Sequence, residues 1–234
     1  MLRRSLLLGL PMLALARPAL ADAIGLSVAC DTTLAAALRC AGEAYRQRTG
    51  ARIFVFATGP GLLLPQLERD IQNDILVSQV PILDQALQAQ VIAVLPGRPY
   101  WVNPLVIAGR PGAPIDQTFA APDPTPASDF DGPALLAKLN LKPARVLGTV
   151  DTDEVAALID SGASQAGLLH MTDVRANAQL TVLRAVSADI QPPLIYAASI
   201  TRLASRPNPQ GFIEFLTTPE AKAVLTEAGL EQQA

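Results

Sequence analysis

The side chains best suited to ligand binding are concentrated at three short turns. These turns, 31–33, 58–61 and 150–153, read DTT, TGPG and VDTD. Each follows an apolar run and precedes a helical pattern, which places it at the carboxyl end of a strand and the start of a helix. Ligands of open α/β sheets bind at that edge, where free N–H groups of a helix N-terminus can hold an anion without a cationic side chain. The turns therefore predict a cleft for a small oxyanion; the alternative is that these residues only cap helices.

Groups that could catalyse a reaction are scarce in the chain. His170 is the single histidine, and the motifs G-x-S-x-G, H-E-x-x-H, C-x-x-C and G-x-x-x-x-G-K-[ST] do not occur. A catalytic triad would have His170 as its one possible base. The sequence therefore predicts a binding protein without a cofactor, and an exported enzyme is the least favoured alternative.

Short β-rich runs alternate with helical patterns along the chain, which predicts an α/β fold of βαβ units with mostly parallel sheets. The Pro-rich stretch 111–133 interrupts this pattern, and we expect it to be extended. A second α/β unit follows that stretch. The predicted strands are 26–30, 53–56, 74–78, 105–108, 145–149, 167–170 and 195–199. The predicted helices cover 34–45, 63–67, 82–90, 134–139, 153–161, 209–216 and 219–228.

The first 21 residues have the features of a cleavable signal peptide. Two arginines precede an apolar run, and the segment closes on the small-x-small sequence Ala19-Leu20-Ala21. The run is shorter than the roughly 20 residues that span a bilayer. We therefore predict cleavage after Ala21 and a periplasmic protein, exported by either the general secretory or the twin-arginine route.

The charge balance argues against nucleic acid as a partner. The whole chain has 18 basic and 21 acidic residues, and cleavage after Ala21 would remove three arginines and leave a net charge of −6. A chain without a basic surplus does not attract a phosphate backbone. Export would permit a disulfide, but the predicted strand and helix place Cys30 and Cys40 too far apart to bridge. We expect two buried free thiols.

Several segments of the mature chain resemble the periplasmic molybdate-binding proteins, the solute receptors of ABC importers. The resemblance covers nearly the whole mature chain in order and spacing. It is carried by VACDTTLAAAL, AYRQRTGARI, GPGLLLPQLE, NDILVS, NPLVIAG, DPTPASDFDGPALLAKLNL, VAALIDSGASQAGLLHMTDV and FIEFLTTPEAKAVLTEAGL.

The resemblance implies a two-lobe periplasmic-binding fold of type II, with each lobe an α/β unit. It also implies molybdate or tungstate as the ligand, an ABC permease with its ATPase as partner, and a monomeric receptor. The implied divisions are a signal peptide 1–21, lobe one at 22–98 and 195–234, lobe two at 104–190, and hinges at 99–103 and 191–194.

The family holds its oxyanion with hydroxyl groups, backbone N–H groups and a tyrosine hydroxyl. Here the first hydroxyl matches Thr33, next to Thr32. The second falls on Gly59 or Pro60, where proline would supply neither hydroxyl nor N–H, although Thr58 could substitute. The backbone donors of lobe two match Ala127 and Thr152. The tyrosine position holds His170, whose imidazole can donate a hydrogen bond.

Carboxylates crowd the same turns, and any that point inward would repel an oxyanion. The alternative cargo is therefore a cation, an amine or a metal ion bound by His170 and cleft carboxylates. The carboxylates concerned are Asp31, Asp129, Asp131, Asp151, Asp153 and Glu154.

Overall fold

A computed structural model describes residues 25–69, 72–93, 99–126 and 128–232. The predicted signal peptide and its cleavage site, and Ala127, lie outside the described residues. The strands are β1 (Leu26–Asp31), β2 (Ile53–Thr58), β3 (Ile75–Gln79), β4 (Tyr100–Asn103), β5 (Leu105–Gly109), β6 (Thr118–Pro122), β7 (Arg145–Thr149), β8 (Ala166–His170), β9 (Thr181–Ala185), β10 (Leu194–Ile200) and β11 (Glu231–Gln232). The helices are α1 (Ala35–Thr49), α2 (Pro60–Glu68), α3 (Val80–Gln88), α4 (Gly132–Lys138), α5 (Thr152–Asp160), α6 (Met171–Ala176), α7 (Pro209–Phe215) and α8 (Pro219–Glu227).

The strands form two sheets, and each sheet is the centre of one lobe. The first has the order β11-β4-β10-β3-β1-β2, and the second has the order β7-β6-β8-β5-β9. In the first, β1 pairs parallel with β2 and β3, whereas β10 pairs antiparallel with β3 and β4. In the second, β6 pairs parallel with β7 and β8, and β5 pairs antiparallel with β8 and β9. The α/β two-lobe fold is confirmed, but both sheets are mixed and not mostly parallel.

The mixed pairing follows from how the chain passes between the sheets. In the described part, β4 of the first sheet continues through Pro104 directly into β5 of the second, and the chain returns between β9 and β10. β4 and β10 run side by side, with Leu194 opposite Asn103. Strands that enter and leave a lobe at one point must run in opposite directions, so antiparallel pairs form there.

Helices cover both faces of each sheet, which explains why central strands such as β1 and β5 are buried and continuously apolar. Alternate residues of β1 point to opposite sides: Val28 packs with α1, α7 and α8, and Ala29 packs with α2 and α3. In lobe two, Ile107 belongs to the cluster beside α4, and Val106 to the cluster beside α5. Each lobe therefore has its own core.

Helix α1 shows how the sequence pattern becomes packing. Leu38, Ala41 and Tyr45 recur at helical spacing and are buried, and Gly50 ends the helix with φ 80°, a left-handed conformation that glycine adopts freely. Cys40 lies on the opposite face. Both thiols are free as expected, but the prediction that Cys40 is buried is wrong, because it is exposed on that outer face while Cys30 lies inside the sheet.

The structure adds elements that the pattern did not predict. β6 lies within the Pro-rich stretch, where we expected only extended chain, and β4, α6, β9 and β11 are new. Within the described ranges, no helix combines the length and apolar character needed to cross a membrane.

Candidate functional site

A group of buried and half-buried polar side chains lies where strand ends of the two lobes meet. Asp31 ends β1, Gln79 ends β3 and His170 ends β8. Three further side chains complete this group, which we call the interlobe seat. They are Thr33 after β1, Asp129 before α4 and Tyr196 in β10.

Asp31 is the most deeply buried acid of the seat, with no exposed surface. Its Oδ1 accepts a hydrogen bond of 2.7 Å from the Ser78 hydroxyl, while its Oδ2 has no partner among the described residues. Although Asp31 precedes a 3-10 turn, its side chain makes no capping bond. Burial, followed by the nearby Asp129 carboxylate, raises the pKa of Asp31 well above its usual range.

Asp129 joins the two lobes. Gln79 of lobe one donates a 2.7 Å hydrogen bond from Nε2 to Asp129 Oδ1. His170 Nε2 lies 3.2 Å from Asp129 Oδ2, and the His170 and Asp129 side chains are 1% and 4% exposed. This is an ion-pair distance, although the alignment is too poor for a well-formed hydrogen bond.

The surroundings of His170 favour its protonated form. Burial alone lowers the pKa of His170, but the Asp129 carboxylate, with smaller contributions from Asp173 and the Asn103 backbone, outweighs burial and raises it. Asp173 also accepts a 2.8 Å hydrogen bond from the His170 backbone N–H, which caps α6. Burial raises the pKa of Asp173 to about 6, against the lowering effects of His170 and the Thr152 hydroxyl.

Two hydroxyl groups of the seat have no well-formed hydrogen bond. Thr33 Oγ1 and the Tyr196 hydroxyl are both buried and lie close enough for Thr33 to lower the pKa of Tyr196, but neither makes a well-formed hydrogen bond. Burial raises the pKa of Tyr196 well above its usual range, and the Asp129 and Asp31 carboxylates add to this effect. The Tyr196 hydroxyl therefore lies among the carboxylates. Because buried polar groups are normally paired, these atoms identify the seat as a place where a ligand could make the remaining bonds.

The predicted turn after β2 makes a hydrogen bond to the other lobe of the protein, so the N–H group concerned is not free for a ligand. Gly59 precedes α2, and Pro60 is its first residue and has no N–H to donate. The next N–H, of Gly61, donates a 2.9 Å hydrogen bond to the Pro126 carbonyl of lobe two. A Cβ at Gly61 would lie 2.4 Å from that oxygen, so the approach of the lobes requires glycine here. Thr58 is half-buried at the end of β2.

The other predicted residues lie around the seat and not inside it. Thr152 is buried at the start of α5, and its hydroxyl lowers the pKa of Asp173. Thr32 is half-buried and lines a cavity of about 180 Å³ between the lobes, together with Arg39 and Asp153. Of the predicted set, the structure places Thr33 and His170 in the seat, and Ala127 lies outside the described residues.

Two of the six carboxylates near the turns face inward, namely Asp31 and Asp129. Three others stabilise helix starts: Asp131 accepts from Ala134 N–H, Asp151 from Glu154 N–H, and Glu154 from Val150 N–H. Asp153 is exposed. No group of three or more His, Cys, Asp or Glu residues in the described ranges is arranged to hold a metal ion.

Sequence reasoning missed Ser78, Gln79 and Tyr196. Ser78 and Gln79 follow the apolar run of β3, so the rule that pointed to 31–33 also points to them. Tyr196 gives no such signal, because it lies within a strand and reaches the seat only through the pairing of β10 with β3, where Tyr196 is opposite Gln79.

Three solved structures that share this architecture are distant from the chain in sequence. The periplasmic molybdate-binding protein of Azotobacter vinelandii matches with a TM-score of 0.74 and 18% identity over 89% of this chain and 100% of that one. Peb3 of Campylobacter jejuni matches with a TM-score of 0.64 and 15% identity over 89% and 100%. Iron-bound HitA of Pseudomonas aeruginosa matches with a TM-score of 0.60 and 13% identity over 89% and 85%. A sequence search of curated proteins finds no match.

The chain passes twice between the two lobes, and polar groups lie between them. These features define the class of two-lobe solute-binding proteins. A family model described as bacterial extracellular solute-binding protein matches residues 26–231. The chain belongs to this family, which consists of binding proteins of ABC importers and not of enzymes.

Proposed function

We propose that the protein is a periplasmic receptor that captures a small charged solute in the interlobe seat and delivers it to an ABC permease and its ATPase. The observation that carries this proposal is the seat itself, in which buried groups of both lobes meet with hydrogen-bonding capacity unused. The proposed role requires no cofactor and no covalent step, and a monomer suffices.

Capture would proceed by closure of the two lobes about hinges at 99–103 and 191–194. The Gln79–Asp129 and Gly61–Pro126 hydrogen bonds join the lobes, so both must break when the lobes separate. A ligand that contacts both lobes adds binding energy only to the closed form and therefore shifts the population toward it.

One candidate cargo is a small oxyanion, molybdate or tungstate. It is supported by the unpaired Thr33 hydroxyl, by the protonated form that His170 favours, and by the fold likeness to the Azotobacter protein. If the cargo is an oxyanion, the ligand-binding set would be completed by Thr32, Thr58, Gly59, Pro60, Ala127 and Thr152.

A second candidate is a cation, and a different observation favours it. Asp31 and Asp129 point into the seat from opposite lobes, where in their ionised forms they would repel an oxyanion and attract positive charge. The iron-bound HitA structure illustrates that the fold is compatible with a cationic cargo.

The receptor role is tested by thermal unfolding of the mature chain, 22–234, with molybdate, tungstate, sulfate, phosphate, ammonium salts, and divalent and trivalent cations. A solute at about 100 times its Kd adds about 2.7 kcal/mol to the stability of a receptor that binds it. A shift confined to one charge class supports the receptor and identifies its cargo class. An unchanged melting temperature with every solute contradicts the proposal.

Closure is tested separately with Gly61→Ala, which adds a Cβ against Pro126 without changing the seat. Alanine favours a helix more than glycine, so lobe one should remain intact. We expect affinity for the stabilising solute to fall about tenfold or more, since closure would have to displace Pro126. Leu62→Ala, at an exposed neighbour on α2, is the control. Equal affinities in the two variants would count against closure at this contact.

A further inference from the structure

The seat contains more buried acids than bases. Asp31, Asp129 and Asp173 lie close enough to influence one another or His170, and His170 is the one basic side chain among them. No Lys or Arg in the described ranges forms an ion pair with any of the three. Arg39 is exposed at the rim, beside Asp153 in the cavity of about 180 Å³.

The unused hydrogen-bonding atoms of the seat are carboxylate or hydroxyl oxygens, apart from the two ring nitrogens of His170, which lie beside Asp129 and the Asn103 backbone. Asp31 Oδ2 is acceptor-only when ionised, and the hydroxyl oxygens of Thr33 and Tyr196 can accept as well as donate. Asp129 faces them from the other lobe, with one oxygen held by Gln79 and the other next to His170. A group with several N–H donors and one positive charge complements this arrangement.

We infer that the seat binds a small protonated amine, whose ammonium group lies between Asp31 and Asp129 and donates its three N–H bonds to the Asp31 carboxylate and to the Thr33 and Tyr196 hydroxyls. This inference rests on the proposed receptor function and names the chemical class of its cargo. The ammonium group would supply the positive charge that two carboxylates from opposite lobes require if both are ionised in a buried site.

A metal ion fits these residues less well. Imidazole ligates a metal only through an unprotonated nitrogen, and His170 is paired with Asp129 on one side and lies near the Asn103 backbone on the other. The described ranges also contain no group of three His, Cys, Asp or Glu residues placed around one point.

A divalent oxyanion fits less well for two separate reasons. It would add two negative charges beside the Asp129 carboxylate, where repulsion is strongest because water is excluded, and it could be held only with Asp31 protonated. In addition, the α2 turn that should supply donors begins with proline, and the Gly61 N–H is already bonded to Pro126.

Proton linkage gives the amine a characteristic pH dependence. Asp31 favours its protonated form without a ligand, so an ammonium ion that requires the carboxylate must displace a proton and binds more tightly as pH rises. Asp173, with a pKa of about 6, gains negative charge over the same range and acts in the same direction. The other groups facing Asp31 are Asp129, the neutral Tyr196 hydroxyl and the neutral Cys30 thiol, whose pKa burial raises. An oxyanion would show the opposite trend.

The test is calorimetric titration of the mature protein at pH 6 and pH 8 with ammonium, methylammonium, ethanolammonium and 1,4-diammoniobutane salts, and with sodium molybdate and zinc chloride. We expect at least one ammonium probe to bind, with affinity rising up to about tenfold per pH unit for one displaced proton. Asp31→Asn should weaken that binding at least about thirtyfold and remove most of its pH dependence. Asp84→Asn, at an exposed site on α3, is the control.

The outcomes separate this inference from the receptor proposal. Binding of molybdate or zinc alone overturns the amine and leaves the receptor standing. Amine binding that persists unchanged in Asp31→Asn also overturns it. If no probe gives a heat of binding, the amine inference is contradicted. If the wider solute panel also gives no shift in melting temperature, the receptor proposal is contradicted as well. Should Asp31→Asn fail to fold, Asp129→Asn provides the same comparison from the other lobe.

Discussion

Asp31 and Asp151 hold the same position in the two lobes and have different roles. Each lies at the carboxyl end of a strand, just before a helical segment. The Asp151 carboxylate accepts the Glu154 N–H and caps α5, whereas Asp31 makes no capping bond and reaches into the sheet to Ser78. One acid stabilises the helix start next to it. The other is buried with an unpaired oxygen, so the difference separates a structural carboxylate from a binding one.

The same contrast occurs within one loop of lobe two. Asp131 caps α4 by accepting the Ala134 N–H, while Asp129, two residues earlier, points inward to Gln79 and His170. Neither spacing nor residue type distinguishes the members of these pairs. What distinguishes them is whether the carboxylate reaches its own helix or the facing lobe.

The largest effect on stability should come from removing His170, the base beside the inward-pointing Asp129 carboxylate. His170→Ala leaves Asp129 buried without its ion-pair partner, and we expect the free energy of unfolding at pH 7 to fall by about 3 kcal/mol. Urea denaturation measures this. In the double variant His170→Ala/Asp129→Asn, part of the loss should be recovered because the uncompensated charge is gone. A double variant no more stable than His170→Ala would contradict a charge effect.

The second effect has the opposite sign. The pKa of Asp31 is raised above the ordinary 3.8 in the folded protein, so its contribution to stability is fully present below pH 3.8 and is lost as pH rises through the folded pKa. Asp31→Asn should therefore stabilise the ligand-free protein at pH 8, by about 1–2 kcal/mol. Near pH 4 the two proteins should differ little. The midpoints of urea denaturation at pH 4 and pH 8 measure this difference. If Asp31→Asn is less stable than the unmutated protein at pH 8, the Asp31 charge is compensated and the prediction is wrong.

Removing a capping acid should destabilise the protein moderately. Asp151→Ala loses the bond to the Glu154 N–H, and we expect a loss of about 1 kcal/mol. Asp151→Ser, which keeps a capping oxygen, should recover most of it. The loss should be similar at pH 6 and pH 8, unlike that at Asp31, and ligand affinity should not change. If Asp151→Ala reduces ligand affinity, the Asp151 carboxylate contacts the ligand, and the contrast between Asp151 as a capping residue and Asp31 as a binding residue is lost.

The sequence predicted the strand-helix alternation because central strands such as β1 and β5 are buried on both faces and read as uninterrupted apolar runs. It also predicted Thr33 and His170 as candidate site residues, Thr33 from its place in the turn after β1 and His170 from its match to the tyrosine position of the molybdate-binding family. It could not predict that β10 pairs antiparallel with β3, which brings Tyr196 opposite Gln79. Nor could it separate Asp129 from Asp131, because side-chain direction in that loop depends on how the lobes meet.

The smallest effect on stability should occur at Thr33, and this identifies it as a binding residue. Its hydroxyl is buried beside that of Tyr196 without a well-formed hydrogen bond, so Thr33→Ala removes little intramolecular hydrogen bonding. We expect the ligand-free protein to change by less than about 0.5 kcal/mol, while the melting shift caused by the stabilising solute shrinks. Thr33→Ser retains the hydroxyl and should retain most of the shift. Substitution of a capping residue such as Asp151 should lower the stability of the protein and leave ligand binding unchanged. Unchanged stability with weaker binding in Thr33→Ala would therefore support a contact between Thr33 and the ligand. A full melting shift in Thr33→Ala would instead make its unpaired hydroxyl a feature of the fold and leave Asp31 and Asp129 as the groups that hold the cargo.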